Sequence, residues 1–499
     1  MITQPLQSAL LKEFFSVFFM IVLMLLAIQI WLPDFLLPFV ALLFVLCSAY
    51  LIARLNITVF FTLLILVLPF STSQKFFNAE LSLMIPSEPL SGIMLLAFII
   101  RLLLGHTISP LLYKHPLFMI LCAGIFFQLI STFQSSLPMV SVKSMLIKLC
   151  YITVFFVLAA DLYLKQKLTH QHVLKTYFIS ILIVGIFIFI KHFNYGLSKD
   201  YCGTATEPFY ADHTIYSACL AMLIPLPLFT LLMSKQPQIG LLKKWGVFLC
   251  LCIMLLFFFF TYSRAGWLSF MAAGCLIFLI SRGLSFNWLM ILIMSAAALF
   301  YMNSQEIESQ LKQNKADSNA KNADIGQQTK SVVNISNDQS NAERLNRWKC
   351  ALRMFTERPF TGFGPGTYQF EYLSYQRKSE MTRISVTNPY NIKKGKGGTA
   401  HSEYLLILSE SGLLSFLSFI LLIIAVLYYA IKAYHIDNNG ENKMMILIML
   451  FGFGTYIIHG LFNNFLDTDK AALLFYTSIA GIMVAAIKSS EQPDALLNN

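Results

Sequence analysis

Charge is scarce in this sequence: only 12% of its 499 residues are Asp, Glu, Lys or Arg, while 57% are hydrophobic and 45 are Phe. A soluble chain of this length needs far more charge to keep its surface in water, so a soluble globular protein is excluded. Nine cysteines occur without a CxxC pair, and no His-rich spacing accompanies them, so neither a disulfide framework nor a metal cluster is indicated. Cys47, Cys122, Cys150, Cys219, Cys250, Cys252 and Cys275 sit in apolar runs and read as small hydrophobes. Cys202 and Cys350 lie outside those runs, and whether they pair is open. The Lys- and Gly-rich stretch Lys393-Lys-Gly-Lys-Gly-Gly398 lacks Walker spacing, which argues against nucleotide binding and for a mobile basic lid. No clear internal repeat is present, which counts against a secondary carrier.

What is abundant is long apolar runs. A spanning helix needs about 20 apolar residues, because the bilayer core offers no water to backbone amides. Such runs fall near 14–32, 35–53, 56–70, 90–104, 117–133, 145–164, 174–192, 213–233, 244–262, 265–281, 286–302, 403–434, 443–462 and 471–488. The first is too long for a signal-peptide core and no small-residue cleavage site follows, so it reads as a retained helix. The pair at 35–70 is either two spans or, given Pro38 and the short spacing, a re-entrant element. The expectation is an all-α polytopic membrane protein of about 12–14 helices. Lys12, Arg54, Arg101, Lys114, Lys165, Lys167, Lys175, Lys235, Lys243, Lys244, Arg282, Lys432 and Lys443 line one side, and the positive-inside rule makes that side cytoplasmic. Both termini are then cytoplasmic, and the loop 303–402 lies outside.

Five unusual segments share the outer side: Glu207-Pro-Phe-Tyr-Ala-Asp-His213, Thr261-Tyr-Ser-Arg-Ala-Gly266, the large loop, Ala400-His-Ser-Glu-Tyr404, and His459-Gly-Leu-Phe-Asn-Asn-Phe-Leu-Asp-Thr-Asp-Lys470. Within the loop, 303–341 is polar and reads as flexible. From Glu343 onward, Arg344, Trp348, Ala351, Leu352 and Phe355 recur at helical spacing, giving a basic amphipathic helix suited to a membrane surface. It leads into Phe360-Thr-Gly-Phe-Gly-Pro-Gly366, whose glycines permit close approach to a ligand. Arg264 reads either as a snorkelling anchor or as a diphosphate ligand. Its place in an outer turn favours the second, since a planar guanidinium can bond two phosphate oxygens at once. Asp212 and His213 either cap a helix or line an acceptor entrance, and His459 reads as structural. Asp467-Thr-Asp469 reads as a helix start, with a metal-binding carboxylate pair as the lesser alternative.

Thr261-Tyr-Ser-Arg-Ala-Gly-Trp267, Arg344-x-x-x-Trp348, Arg358-Pro-Phe-Thr-Gly-Phe-Gly-Pro-Gly366, and His401-Ser-Glu-Tyr with Glu410-Ser-Gly-Leu413, in this order, resemble the O-antigen ligase and polymerase family over roughly 200–485. The frequent His-Asn pair of that family reads His401-Ser402 here. The resemblance implies a GT-C-like, metal-independent, inverting glycosyltransferase of the bacterial inner membrane, active at the periplasmic face without a cofactor. It implies transfer of a glycan from undecaprenyl diphosphate to a glycolipid, glycan or protein acceptor, as in lipopolysaccharide or surface polysaccharide biosynthesis. Implied roles are Arg264 and Arg344 on the diphosphate and His401 as base. Arg347, Arg358, Gly364, Gly366, Asp212, His213 and Glu403 are further candidates. Alternatives are a lipid-linked glycan polymerase, a protein O-oligosaccharyltransferase and, from another class, a flippase. The partners expected are lipid bilayer, donor and acceptor, with no nucleic acid.

The expected organisation is therefore N-terminal helices over 1–200, helices carrying the Arg264 turn over 201–302, the periplasmic loop 303–402 with its functional part at 343–402, and C-terminal helices over 403–499. Single cysteines at Ser318 and Asn391 in a cysteine-free background should react with an impermeant thiol reagent added outside. Those at Lys243 and Asn439 should react only once the inner membrane is opened. The reverse pattern would move the active face to the cytoplasm.

Overall fold

The computed structural model describes residues 37–76, 81–232, 241–303, 339–393, 395 and 397–491. The expected span 14–32, the polar stretch 304–338, and Lys394 and Lys396 of the expected lid lie outside these residues. The protein is an all-α polytopic membrane protein. Its helices are α1 (Leu37–Arg54), α2 (Ile57–Val67), α3 (Ser87–Leu103), α4 (Pro116–Phe133), α5 (Pro138–Leu164), α6 (His170–Asn194), α7 (His213–Leu232), α8 (Leu241–Phe259), α9 (Arg264–Ser281), α10 (Phe286–Met302), α11 (Gln339–Glu357), α12 (Glu403–Ile436), α13 (Gly440–His459) and α14 (Asp469–Glu491). Nine of them, α4 to α9 and α12 to α14, are long and apolar enough to cross a membrane among the described residues. The runs expected near 35–53, 56–70, 90–104 and 286–302 form shorter or less uniformly apolar helices. An antiparallel hairpin, Thr72–Phe76 with Leu81–Ile85, was not expected. Its alternation is too short to stand out beside apolar runs.

The chain separates into two compact units. The smaller holds the residues up to Ile57 with Leu96–His106, and within it Arg101 donates to the Ala53 carbonyl at 3.3 Å. The larger, Thr58–Leu95 and Thr107–Asn499, contains every site residue discussed below. At its centre is α14, 89% of whose apolar window is buried against 22% for the peripheral α8. Lys470, near the start of α14, is tied by its Nζ to the carbonyls of Ser71 (2.9 Å) and Phe209 and lies over the Tyr210 ring. Its neighbour Asp469 accepts from Ser87.

Side-chain caps fix where the helices begin. Asp212 accepts from the Thr214 N–H (2.9 Å), Ser263 from Gly266 (3.2 Å), Ser402 from Leu405 (3.4 Å) and Asn439 from Glu441 (2.8 Å). Each satisfies one of the donors a helix start leaves unpaired. The connections at one end of the bundle hold together by hydrogen bonds: Ser136 N–H to the Phe363 carbonyl (3.0 Å), the Tyr262 hydroxyl to Leu197 (2.7 Å) and the Glu403 N–H to Gly460 (2.8 Å). The large loop belongs to this end.

The longest helix is broken. In α12, Gly412 adopts φ +76°, and the N–H of Leu413, denied its helical acceptor Ser409, donates to the Pro359 carbonyl at 2.8 Å. The freed Ser409 carbonyl accepts from the Phe363 N–H (3.2 Å), and that of Glu410 from the Gly364 N–H (2.8 Å) and Ser131 Oγ (2.8 Å). The Glu410 carboxylate then accepts from the N–H groups of Gly366 and Tyr368, both at 2.9 Å. The glycine turn thus supplies the hydrogen bonds that the break removes, as buried backbone groups require.

A Cβ at Gly412 would stand 2.2 Å from the Phe360 carbonyl oxygen. Gly412→Ala therefore combines left-handed strain with overpacking, together about 2–5 kcal/mol. It should sharply reduce accumulation and melting temperature, whereas Gly440→Ala, which meets nothing within 4 Å, should leave both near native. A thermal melt in detergent checks this.

Candidate active site

Arg264 opens α9 directly after its cap, Ser263. The turn before it is locked to α7. Thr261 Oγ1 donates to Ser217 Oγ (3.1 Å), and a Cβ at Gly266 would meet that oxygen at 2.2 Å. Half-buried Arg264 thereby begins its helix, at the end where the helix dipole is positive. Asp212, which begins α7, pairs with His213 at 3.0 Å. Burial raises the Asp212 pKa, but the hydrogen bond and charge of His213 outweigh it and hold the carboxyl well below its ordinary range.

Helix α11 carries two arginines with different duties. Arg347 is buried, its Nε 3.0 Å from Glu343 Oε1 and its Nη1 donating to the carbonyls of Gly397 (3.0 Å) and Thr399 (2.9 Å), with the guanidinium over the Tyr372 ring. It clamps the strand of chain that delivers His401. A Cβ at Gly398, φ +81°, would stand 2.6 Å from Nη1, so only glycine lets the backbone approach this closely. The expected mobile lid is in this part, 397–399, held down. Glu343 also accepts from Thr382 (2.8 Å) and Ser385. The same face of α11 buries Cys350, Ala351 and Met354 against Phe363, Tyr368, Tyr372, Ile392 and Ala400, a small core of the loop itself. The amphipathic helix is thus part of a folded unit, with Leu352 exposed.

His401 has φ +50°, uncommon for a residue with a side chain and costing on the order of 1–3 kcal/mol. Trp348 Nε1 donates to its carbonyl (3.2 Å), its N–H donates to Thr399 Oγ1 (3.4 Å), and its ring hydrogen-bonds Asn463. Burial, followed by the positive charges of Arg347 and Arg344, lowers its pKa to about 4, while Asp212 and Asn463 act the other way. Burial and the nearby positive charge of Arg264 likewise lower the Arg344 pKa, against the pull of Asp212. Arg264, Arg344, Asp212 and His401 are therefore linked within electrostatic reach through Arg344, although they come from four separate stretches of chain. Arg344 donates through Nη1 to Asn341 (3.2 Å), and its buried Nε has no partner among the described residues.

Other sequence candidates take structural positions. Arg358 lies over the Phe363 ring, 4.5 Å from its centroid. Gly364 and Gly366 are engaged with Glu410 and packed against Ser135, Ser141 and Ser144 rather than open to a ligand. Glu403 is buried and accepts from the Tyr456 hydroxyl (2.8 Å) and the N–H groups of Phe465 (3.2 Å) and Leu466 (3.4 Å). Ser402, where Asn was expected from the resemblance, caps α12, and Ser and Asn are near-equal caps. Asp467 is exposed while Asp469 is buried, so the two do not converge. Cys202 and Cys350 are free thiols, both buried. Asn463 is the neighbour that sequence reasoning missed. Its segment had been singled out, but nothing in the local pattern joins it to a histidine 62 positions earlier.

A family model described as O-antigen ligase matches residues 249–420. No curated protein matches the chain. The matched stretch runs from α8 through the loop into α12, and so includes Arg264, Arg344, His401 and the Gly412 break but neither Asp212 nor Asn463.

Arg347→Ala removes a buried cation, leaving Glu343 uncompensated and two carbonyls unpaired, at a cost of about 3–5 kcal/mol. Trypsin cleavage at Arg377, Lys378 and Arg383 in the full chain should rise about tenfold or more, in step with local opening. Native cleavage rates would remove Arg347 as the clamp.

Proposed function

Taking residues 249–420 as an O-antigen ligase family domain, we propose that the protein transfers a glycan from undecaprenyl diphosphate to an acceptor hydroxyl, with Arg264 and Arg344 on the diphosphate and His401 as base. The observation that carries this reading is that Arg344 feels the positive charge of Arg264, has a buried Nε with no partner among the described residues, and acts with burial and Arg347 to keep His401 neutral. Two half-buried guanidinium groups near each other repel, and a diphosphate relieves that cost while gaining charge-assisted hydrogen bonds.

The chemistry balances with these groups alone. The acceptor oxygen forms a bond to the anomeric carbon as the bond from that carbon to the diphosphate oxygen breaks. The electron pair leaves on the diphosphate, where Arg264 and Arg344 meet the developing charge, and the acceptor proton passes to the neutral imidazole of His401. Attack opposite the leaving group inverts the anomeric centre, and the two cations stand where a metal would otherwise be needed. The basic residues at the far end of the bundle support a periplasmic site through the positive-inside rule.

Arg264→Ala and Arg344→Ala should each abolish transfer while the protein still accumulates in the membrane. Arg264→Lys should rescue poorly, because a point charge lacks the bidentate fork. His401→Ala should bind the donor yet turn over at least about a hundredfold more slowly. A base must be neutral, and the His401 pKa lies near 4, so native activity should hold level from pH 8 down to 5 and fall only as pH drops through about 4. An acid limb near the ordinary histidine pKa of about 6.5 would contradict the assignment. Activity should persist in EDTA; loss restored by a divalent ion would sink the two-cation reading. In a deletion strain, unattached long lipid-linked chains would mark a ligase and single repeats on the final acceptor a polymerase.

A further inference from the structure

The turn between α13 and α14 is uneven in how its polar groups are satisfied. Its backbone is thoroughly paired: the Gly460 N–H donates to Tyr456 (2.7 Å), the Asn463 N–H to His459 (3.1 Å), and the N–H groups of Phe465 and Leu466 to Glu403. Its buried side chains are not. Among the described residues, both ring nitrogens of His459, both ends of the Asn464 carboxamide and the Asn463 Nδ2 have no hydrogen-bond partner. Their exposures are 0%, 6% and 3% respectively. A buried polar group left unpaired costs about 1–3 kcal/mol, so several together in one rigid turn call for something to fill them.

Their neighbours say what stands there. Asn463 bonds the His401 ring, and His459 feels the charges of Arg344 and Asp212. The turn therefore flanks the space between the base and a diphosphate cation. We infer that this turn forms a pocket for the donor's first sugar ring, with His459 and Asn464 hydrogen-bonding its hydroxyl or amide groups. The inference rests on the glycan-transfer reading above and deepens it. In an in-line transfer, the ring bearing the anomeric carbon must sit between the leaving diphosphate and the base, so groups close to both reach that ring. The chemistry also fits a neutral sugar rather than a further anion. None of the three side chains is acidic or a fixed cation, and a carboxamide donates and accepts as a hydroxyl does. The Phe465 ring, 5.4 Å from that of His459, adds an apolar wall. Asn463, already bonded to His401, acts here as a positioning residue.

The test compares two lipids on the full chain in detergent: undecaprenyl diphosphate alone, and the same lipid carrying one N-acetylhexosamine. Asn464→Ala and the ring-preserving His459→Phe should each weaken binding of the sugar-bearing lipid about five- to tenfold, the worth of a neutral hydrogen bond. Binding of the bare lipid should not change. Because the groups removed have no partner in the protein, melting temperatures should stay level or rise, which a structural role does not allow. Native affinity for the sugar-bearing lipid in both variants would mean that the turn holds only water. Equal weakening for both lipids, or a fall of several degrees in melting temperature, would assign the residues to the diphosphate or to the fold. An increase in acceptor KM with donor affinity intact would move the pocket to the acceptor. A native chain that bound neither lipid would overturn the transfer reading itself, and this inference with it.

Discussion

The exchange of hydrogen bonds at Gly412 is the constraint on which the active end of this protein depends. A helix broken at a buried position leaves carbonyls and an amide without helical partners, and buried backbone groups must find others. The 359–368 segment supplies those partners, with the Glu410 carboxylate gathering two further N–H groups. Docked in this way, the segment becomes a fixed floor for the loop. The loop's core of Cys350, Met354, Tyr368 and Tyr372 then holds α11, and α11 carries Arg344 and Arg347. Loosening the break would release the arginines before any of them was mutated.

Upon that floor the two arginines of α11 differ in how fully they are engaged. Arg347 is fully engaged, by Glu343 and by two carbonyls just before His401, and so sets the geometry of a strained residue. Arg344, one turn away, retains an Nε without a partner among the described residues. The carboxylates divide in the same manner. Glu403, a candidate in the sequence, and Glu410 are both occupied with backbone N–H donors and serve as internal caps for turns. A rigid frame of satisfied backbone, with unsatisfied side chains projecting from it, is the arrangement that a polar ligand requires.

Some of this was legible beforehand for definite reasons. Apolar length is a local property, and α4 to α9 and α12 to α14 could be read from it. The alternation of spans then placed the turns before α9, α12 and α14 on one side, which is how Arg264 and His401 came under suspicion. The glycine turn and Glu410-Ser-Gly-Leu413 were also visible as motifs, but their use was misread. They face each other rather than a ligand, because the need for glycine came from a carbonyl of a distant segment that would stand 2.2 Å from a Cβ at Gly412. Arg347 was a further candidate for the site, and its burial makes it a clamp instead.

What the sequence determined by itself is the class of the molecule, its spans and the residue types gathered at one end, because hydropathy and caps act over a few neighbouring positions. The tertiary structure decided which of those residues have partners. Whether a guanidinium is free for a phosphate or spent on a carbonyl depends on groups 50 or more positions away, as with Arg347 and Gly397. Likewise, Asn463 reaches His401 only because Glu403 holds its turn in place. Hydrogen bonds are short and directional, so pairing between remote segments has no local signature and is settled only when the chain packs.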